Sequence, residues 1–356
     1  MTTDEKKPDY ERSVPDTSRR KIIVGGSAAA AGILFAGIAQ ARQTSEAPQT
    51  MDGLPVPMPP ANKTAGPIVA GRDSKLQGRV AVVTGAARGI GRAIAVEFAA
   101  NGADVIVIDI AGPVSMASNA TPATPQELEE TVSMVKAYGR RSEGIRADIR
   151  DMHALRAAAD RIEQRYGKID IVVANAGIQY WKPLLDLEDA EWSDVIDNNL
   201  NGTANTIRAF APKMVTRNYG RIIVVSSMQG RHGTRDAAAY AASKWGIFGL
   251  MKSAALELGR YNITVNAVVP GLVATALTLY DKRLTESIAE TGYHRTNGPL
   301  TPQEAWDRRA ATMPLGVGWV QPEDISPAAV YLASDAAAMI TGSEIEVTGG
   351  DSAKSL

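Results

Sequence analysis

Residues 79–109 read RVAVVTGAARGIGRAIAVEFAANGADVIVID, and the pattern changes three times within them. Arg79 to Thr84 is a short, mostly apolar run, as expected of a strand covered on both faces. Gly85-Ala86-Ala87-Arg88-Gly89-Ile90-Gly91 follows, a turn with three glycines spaced Gly-x-x-x-Gly-x-Gly. Beyond it Ile94, Ala95, Phe98 and Ala99 recur at helical spacing, and Gly102 supplies a stop. Val105 to Ile108 is a second apolar run, ending on Asp109. Glycines between a strand and a helix let backbone approach a pyrophosphate, which the free N–H groups and partial positive charge of the helix start attract. A carboxylate at the end of the second strand can accept from both adenosine ribose hydroxyls. The same charge repels a 2′-phosphate, so Asp109 favours NAD over NADP. Arg88 pulls the other way, since an arginine in this loop can meet that phosphate. Asp109 lies nearer the discriminating group and is followed by Ile110, not by a base.

Further apolar runs recur downstream at Gly144–Asp148, Asp170–Ala174, Arg221–Val225, Ile263–Val269 and Glu344–Val347. Helical patterns separate most of them. The alternation predicts an α/β fold of the Rossmann type: one doubly wound, seven-stranded parallel sheet with helices on both faces, in a single domain over residues 78–356. Function is then expected at the carboxyl ends of the strands.

Composition removes several other chemistries. The 356 residues carry 38 basic and 39 acidic side chains, a net charge of −1, which argues against nucleic acid as the main partner. The chain has no cysteine, so disulfides, thiolate zinc, iron–sulfur ligation and a cysteine nucleophile are excluded. Its three histidines, His153, His232 and His294, are too scattered for a metal-binding helix, and no metal site is expected.

The N-terminus reads differently. A polar stretch leads into Ser18-Arg19-Arg20-Lys21, then a Gly/Ala-rich apolar run from Ile22 that closes on Ala39-Gln40-Ala41. Paired arginines, a mildly apolar run and a small-x-small ending match a twin-arginine export signal over residues 1–41, hence a periplasmic or exported protein. A membrane anchor is the alternative, but a run this weakly hydrophobic makes a poor one. Residues 42–77 hold six prolines without apolar periodicity and read as a linker or extended arm.

Tyr240-Ala241-Ala242-Ser243-Lys244 sets a phenol and an ammonium four residues apart, on one face of a helix. Ser227 ends a strand 13 residues before the tyrosine, and Asn199 lies in Asn198-Asn199-Leu200-Asn201-Gly202. With TGAARGIG, ANAG, NAVVPGLVAT and the closing ITGSEIEVTGG in this order, the chain from about Gly78 to Ser352 resembles the short-chain dehydrogenase/reductase family. The resemblance implies Tyr240 as acid/base, Lys244 as its activator, Ser227 as the donor that orients the carbonyl, and Asn199 as the helix-kink residue of a proton relay. Ser226 is the rival to Ser227; the offset to Tyr240 favours Ser227. It also implies that Gly85, Gly89 and Gly91 line the pyrophosphate and Asp109 takes the ribose, with Asp148 at the adenine and Asn175 as a central brace. Pro270, Gly271, Val273 and Thr275 fall where the family touches the nicotinamide carboxamide and pyrophosphate. Arg88, Ile90, Ile110, Ile149, Ala176 and Gly177 complete the expected cofactor contacts. Ala174 stands where many members have asparagine.

The residue types suit the reaction. Oxidising an alcohol takes a proton from oxygen while hydride leaves carbon. A free phenol, with a pKa of about 10, is a poor base at neutral pH, and a nearby ammonium and the positive nicotinamide ring both favour phenolate. The leading expectation is a NAD-dependent oxidoreductase interconverting a secondary alcohol and its ketone. A non-catalytic NAD-binding redox sensor, or an epimerase or dehydratase on the same fold, are the alternatives.

Two regions narrow this further. Residues 110–124, IAGPVSMASNATPAT, form an insertion where only a few residues are usual, ending in the capping box of Thr124 and Glu127. It resembles that of the actinobacterial carveol-dehydrogenase-like branch, which implies tightly held NAD and an external redox partner; a surface loop without consequence is the alternative. Residues from about 272 to 320 are the expected lid and substrate wall. Their Leu277, Tyr280, Ile288, Tyr293, Trp306, Met313 and Trp319 suggest a fairly large, hydrophobic substrate. Assembly as a homodimer or homotetramer is expected by analogy with the family.

Overall fold

The computed structural model describes residues 50–51, 53–58, 68, 75–289, 291–293, 298 and 300–354, all within one compact unit. The twin-arginine segment and His294 lie outside the described residues. Two short strands, β1 (Thr50–Met51) and β2 (Leu54–Pro55), pair with each other. Then follow β3 (Val80–Thr84), helix α1 (Gly89–Ala100), β4 (Asp104–Asp109), α2 (Pro125–Lys136), β5 (Ser142–Arg146), α3 (Met152–Tyr166) and β6 (Ile171–Ala174). The second half runs α4 (Asp189–Ile196), α5 (Gly202–Arg217), β7 (Gly220–Val225), α6 (Ala238–Leu258), β8 (Ile263–Pro270), α7 (Asp281–Ala289), α8 (Pro302–Ala310), α9 (Pro322–Ala333) and β9 (Glu344–Val347).

Strands β3 to β9 form one parallel sheet in the order β5-β4-β3-β6-β7-β8-β9. The central strands are apolar throughout because both faces are covered. Ala81 and Val83 pack with Ile94, Leu128 and Ile325 of α1, α2 and α9. Val80 and Val82 pack with Leu155, Phe210 and Ile247 of α3, α5 and α6 on the other face. The chain leaves β3 to one side for β4 and β5, then returns to place β6 on its other side. That reversal opens a crevice at the carboxyl ends of β3 and β6, where such sheets bind ligands.

Two expectations about elements need correction. The third strand of the sheet begins at Ser142, not Gly144, and ends at Arg146, so Asp148 lies in the turn beyond it. Ser142 and Glu143 gave no apolar signal. Glu143 is nevertheless buried beside α3, where Arg161 and Arg165 reach it at 2.9 and 2.6 Å. The Pro-rich segment also contributes to the domain: Val56 joins the core, and Trp319 Nε1 donates to the Pro57 carbonyl at 3.2 Å. Tyr138 donates to the carbonyl of Ile68 at 2.9 Å. Among the described residues no helix is long and apolar enough to cross a membrane.

Candidate active site

A cleft runs along the crevice, and both sequence-derived residue sets meet in it. At one end the β3–α1 turn packs too tightly for side chains. Gly85 has φ +65°, and a Cβ there would stand 2.7 Å from Ala176 Cα; at Gly91 it would stand 2.2 Å from the Gly85 carbonyl oxygen. Gly91 therefore lies behind the cleft and holds the turn against the helix. Gly85, Arg88, Gly89 and Ile90 line the cleft at the start of α1, where backbone N–H groups are free to meet an anion. Asn175 braces this floor, its Nδ2 donating to the carbonyls of Thr84 and Gly85 at 2.9 and 3.0 Å.

Asp109 closes β4. Its Oδ2 accepts from the Ala87 N–H at 3.0 Å and its Oδ1 from the Ala111 N–H at 2.9 Å. Each oxygen keeps a lone pair for a ribose hydroxyl. Arg88 is engaged elsewhere, donating to the Thr121 carbonyl and standing 3.5 Å from Glu127 Oε1. Asp148 also lines the cleft. Burial opposes its ionisation, but side-chain and backbone hydrogen bonds from Arg150 outweigh burial and hold the carboxyl below its usual range.

The insertion folds across this half. Ala111, in the left-handed region at φ +45°, turns the chain away from β4. Ser115 bonds Asp194, Arg150 donates to the Val114 carbonyl at 3.0 Å, and Asn119 accepts from the Trp181 N–H at 3.0 Å. Val114, Ser115, Ser118, Ala120 and Thr121 line the cleft, and Ala117 is fully buried. Thr124 and Glu127 make the expected capping box.

At the other end Ser227, Tyr240 and Lys244 line the cleft together. Lys244 lies on α6 one turn after Tyr240. Its Nζ donates to the Val225 carbonyl at 2.9 Å and stands 5.6 Å from the Tyr240 ring centre. Burial pushes the Lys244 ammonium below the usual lysine range, against the attraction of Tyr240. Ser227 accepts from the Gln229 N–H at 3.2 Å, whereas Ser226 spends its hydroxyl on the Lys244 carbonyl at 3.0 Å. Asn199 is fully buried behind the cleft, in a π-helical turn at Asp197–Asn201 that bends α4 into α5. Its side chain clamps Ile178, accepting from the N–H at 2.8 Å and donating to the carbonyl at 3.0 Å, and also donates to Ser243 at 3.0 Å.

Ile110, Ile149, Ala176 and Gly177 line the cleft as well, with Pro270, Gly271, Val273 and Thr275 beyond β8. Val273 is bridged to Val320. The expected aromatic substrate wall needs correction: Trp306 and Trp319 form an edge-to-face pair, centroids 4.9 Å apart, within the core. Ile288 and Met313 are also buried, while Leu277 lines the cleft. Gln179, Arg283, Arg309 and Asp351 also line the cleft, although no motif in the sequence marks them. For Gln179 a signal existed, since it lies four residues beyond Asn175, past the carboxyl end of a central strand.

Residues 79–283 match the family described as short chain dehydrogenase. The chain belongs to the short-chain dehydrogenase family. An uncharacterised NAD-dependent oxidoreductase of Mycobacterium tuberculosis is 39% identical over 284 residues, covering 79% of this chain and 98% of the relative. The (−)-trans-carveol dehydrogenase of Rhodococcus erythropolis is 36% identical over 79% of this chain and its own full length. Among solved structures, carveol dehydrogenase from Mycobacterium avium in complex with NAD superposes with a TM-score of 0.73 at 37% identity, covering 78% of this chain and 98% of that one. The structure thus joins a short-chain dehydrogenase cleft to an insertion that crosses it.

Proposed function

We propose that this short-chain dehydrogenase is a NAD-dependent enzyme that interconverts a hydrophobic secondary alcohol and its ketone. The observation that carries the proposal is the convergence of Ser227, Tyr240 and Lys244 on one cleft with the glycine turn and Asp109. The residues fit the dinucleotide: the turn leaves backbone N–H groups bare for a pyrophosphate, and Asp109 is oriented for a ribose. Bound NAD supplies the carbon that takes up or gives back hydride. Tyr240 Oη takes the proton from the substrate hydroxyl, or returns it to the ketone oxygen. Lys244 stabilises the phenolate by charge, and Ser227 Oγ donates to the substrate oxygen as negative charge grows there. Asn199 holds the Ile178 backbone and thereby the wall beside the reacting atoms.

The same reading includes the insertion as a strap that keeps NAD bound across turnovers, with an external redox partner. Its support is the set of bonds through Arg88, Arg150, Ser115 and Asn119. Export through a twin-arginine signal with cleavage after Ala41 suits such retention, because a compartment without free NAD requires it; Arg19-Arg20 and Ala39-Gln40-Ala41 support it. Assembly into a dimer or tetramer is also part of the reading, supported by Trp245 and Leu256 standing exposed on α6.

The test is NADH formation, followed by absorbance, with a panel of cyclic and aromatic secondary alcohols. Turnover with NAD and not with NADP is expected; no oxidation of any alcohol by NAD-loaded protein contradicts the proposal. For the strap, protein purified from the periplasm is expected to carry NAD(H) through dialysis. Cofactor-free protein, or uncleaved chain in the cytoplasm, contradicts retention and export.

A further inference from the structure

Gln179 is buried, 6% exposed, and lines the catalytic cleft beside Ile178, the residue that Asn199 clamps. Its Oε1 accepts from Trp181 Nε1 at 3.3 Å. An indole N–H can only donate, so this bond fixes which end of the amide is oxygen and turns the NH2 group the other way. Among the described residues no group accepts from that Nε2, nor is it one of the buried polar atoms sealed from solvent. A donor that is neither bonded nor sealed, on a side chain that lines the cleft, has the cleft to open into.

Trp181 is held so that it cannot relax this arrangement. It is 1% exposed, its backbone N–H donates to Asn119 of the insertion at 3.0 Å, and its carbonyl accepts from Lys282 of α7. The Arg283 guanidinium lies over its ring, 4.4 Å from the centre, and Arg283 also lines the cleft. Trp181 and Tyr240 belong to one apolar cluster. The amide thus stands in the reaction cleft, aimed by an indole that the insertion and the lid grip from two sides. A wall built only for a hydrocarbon has no use for a fixed donor, because leaving one unmet costs free energy.

The geometry points to Gln179 as a specificity-determining residue whose Nε2 donates to a second oxygen of the substrate, with Trp181 as its positioning residue. The substrate class is a secondary alcohol or ketone with a further hydroxyl or carbonyl oxygen away from the reacting carbon. This rests on the dehydrogenase reading above and sharpens it.

The test compares kcat/KM for cyclohexanol with that for cyclohexane-1,2-, 1,3- and 1,4-diol in the NAD-loaded enzyme. At least one diol is expected to exceed cyclohexanol by about tenfold, the worth of one well-placed hydrogen bond. In Gln179→Met that ratio is expected to fall to within about threefold. In Trp181→Phe, which keeps a ring beneath Arg283 but lacks the N–H, the loss is expected mainly in KM for the preferred diol. A wild-type enzyme without preference, or a preference that survives Gln179→Met, overturns the inference. Calorimetric binding of the same four alcohols to NAD-loaded Tyr240→Phe separates it from the parent reading. Diol preference in binding without wild-type turnover overturns the dehydrogenase and leaves the subsite standing. Turnover without preference in either assay overturns the subsite alone.

Discussion

The two ends of the cleft are built in different ways. The dinucleotide end is made of backbone: bare N–H groups at the start of α1, and a carboxylate held by two N–H donors. Few of its contacts depend on side chains that could vary. The substrate end is made of side chains stacked on one another, with Gln179 on Trp181, Trp181 under Arg283, and Asn119 reaching across from the insertion. A backbone-built site suits one ligand, and a side-chain-built site can be retuned. The insertion touches both ends, bonding Arg88 at one and Trp181 at the other.

If the ends are separate devices, each can be broken alone. The largest effect is expected from Tyr240→Phe, which removes only the phenolic oxygen. Its kcat should fall by about 10³-fold or more, within the range of general acid–base catalysis, while bound NAD is retained. Loss of cofactor together with activity would mean that the ends are not separable. Next is Asp109→Ala, expected to raise the Kd for NAD by roughly 10- to 100-fold, the scale of hydrogen bonds to a charged group. Calorimetric titration of NAD into cofactor-stripped protein measures it, and unchanged Kd would remove Asp109 from the ribose. Removing residues 115–121 should speed NAD release, read by dialysis, and leave Tyr240-dependent turnover when NAD is resupplied.

Smaller effects belong to the frame. Asp148 has a depressed carboxyl pKa in the folded protein, so its pairing with Arg150 contributes stability above the unfolded value near 3.8. That contribution is lost as pH falls through the lower folded value. Asp148→Asn should therefore flatten the fall in Tm below about pH 4 and leave its slope near neutrality unchanged. The smallest expected change is Tyr138→Phe, which removes only the hydroxyl bonded to the Ile68 carbonyl and should cost about 1 kcal/mol in denaturant unfolding.

The same contrast explains what the sequence made legible. Continuous apolar runs and glycine spacing are local properties, so β3, α1, β4 and Asp109 could be read from adjacent residues. The edge strand β5 begins two residues before its apolar run because Glu143 is buried by ion pairing with Arg161 and Arg165 and the buried Ser142 is polar, so neither gives an apolar signal. Trp306 and Trp319 looked like substrate wall by composition, yet each finds its partner in the other. Gln179 was missed because its role depends on an indole two residues later and on which way an amide faces. Neither the place of Val56 in the core nor the bond from Trp319 to the Pro57 carbonyl could be inferred from a Pro-rich run.

The central claim is direct hydride transfer at a cleft governed by Tyr240. The most direct measurement incubates NAD-loaded protein with a secondary alcohol deuterated at the carbinol carbon, followed by mass spectrometry of the extracted cofactor. Deuterium in the dihydronicotinamide ring is expected from the wild-type protein, with none from Tyr240→Phe over the same time. Reduced cofactor without the label, or equal labelling in the variant, would contradict the account.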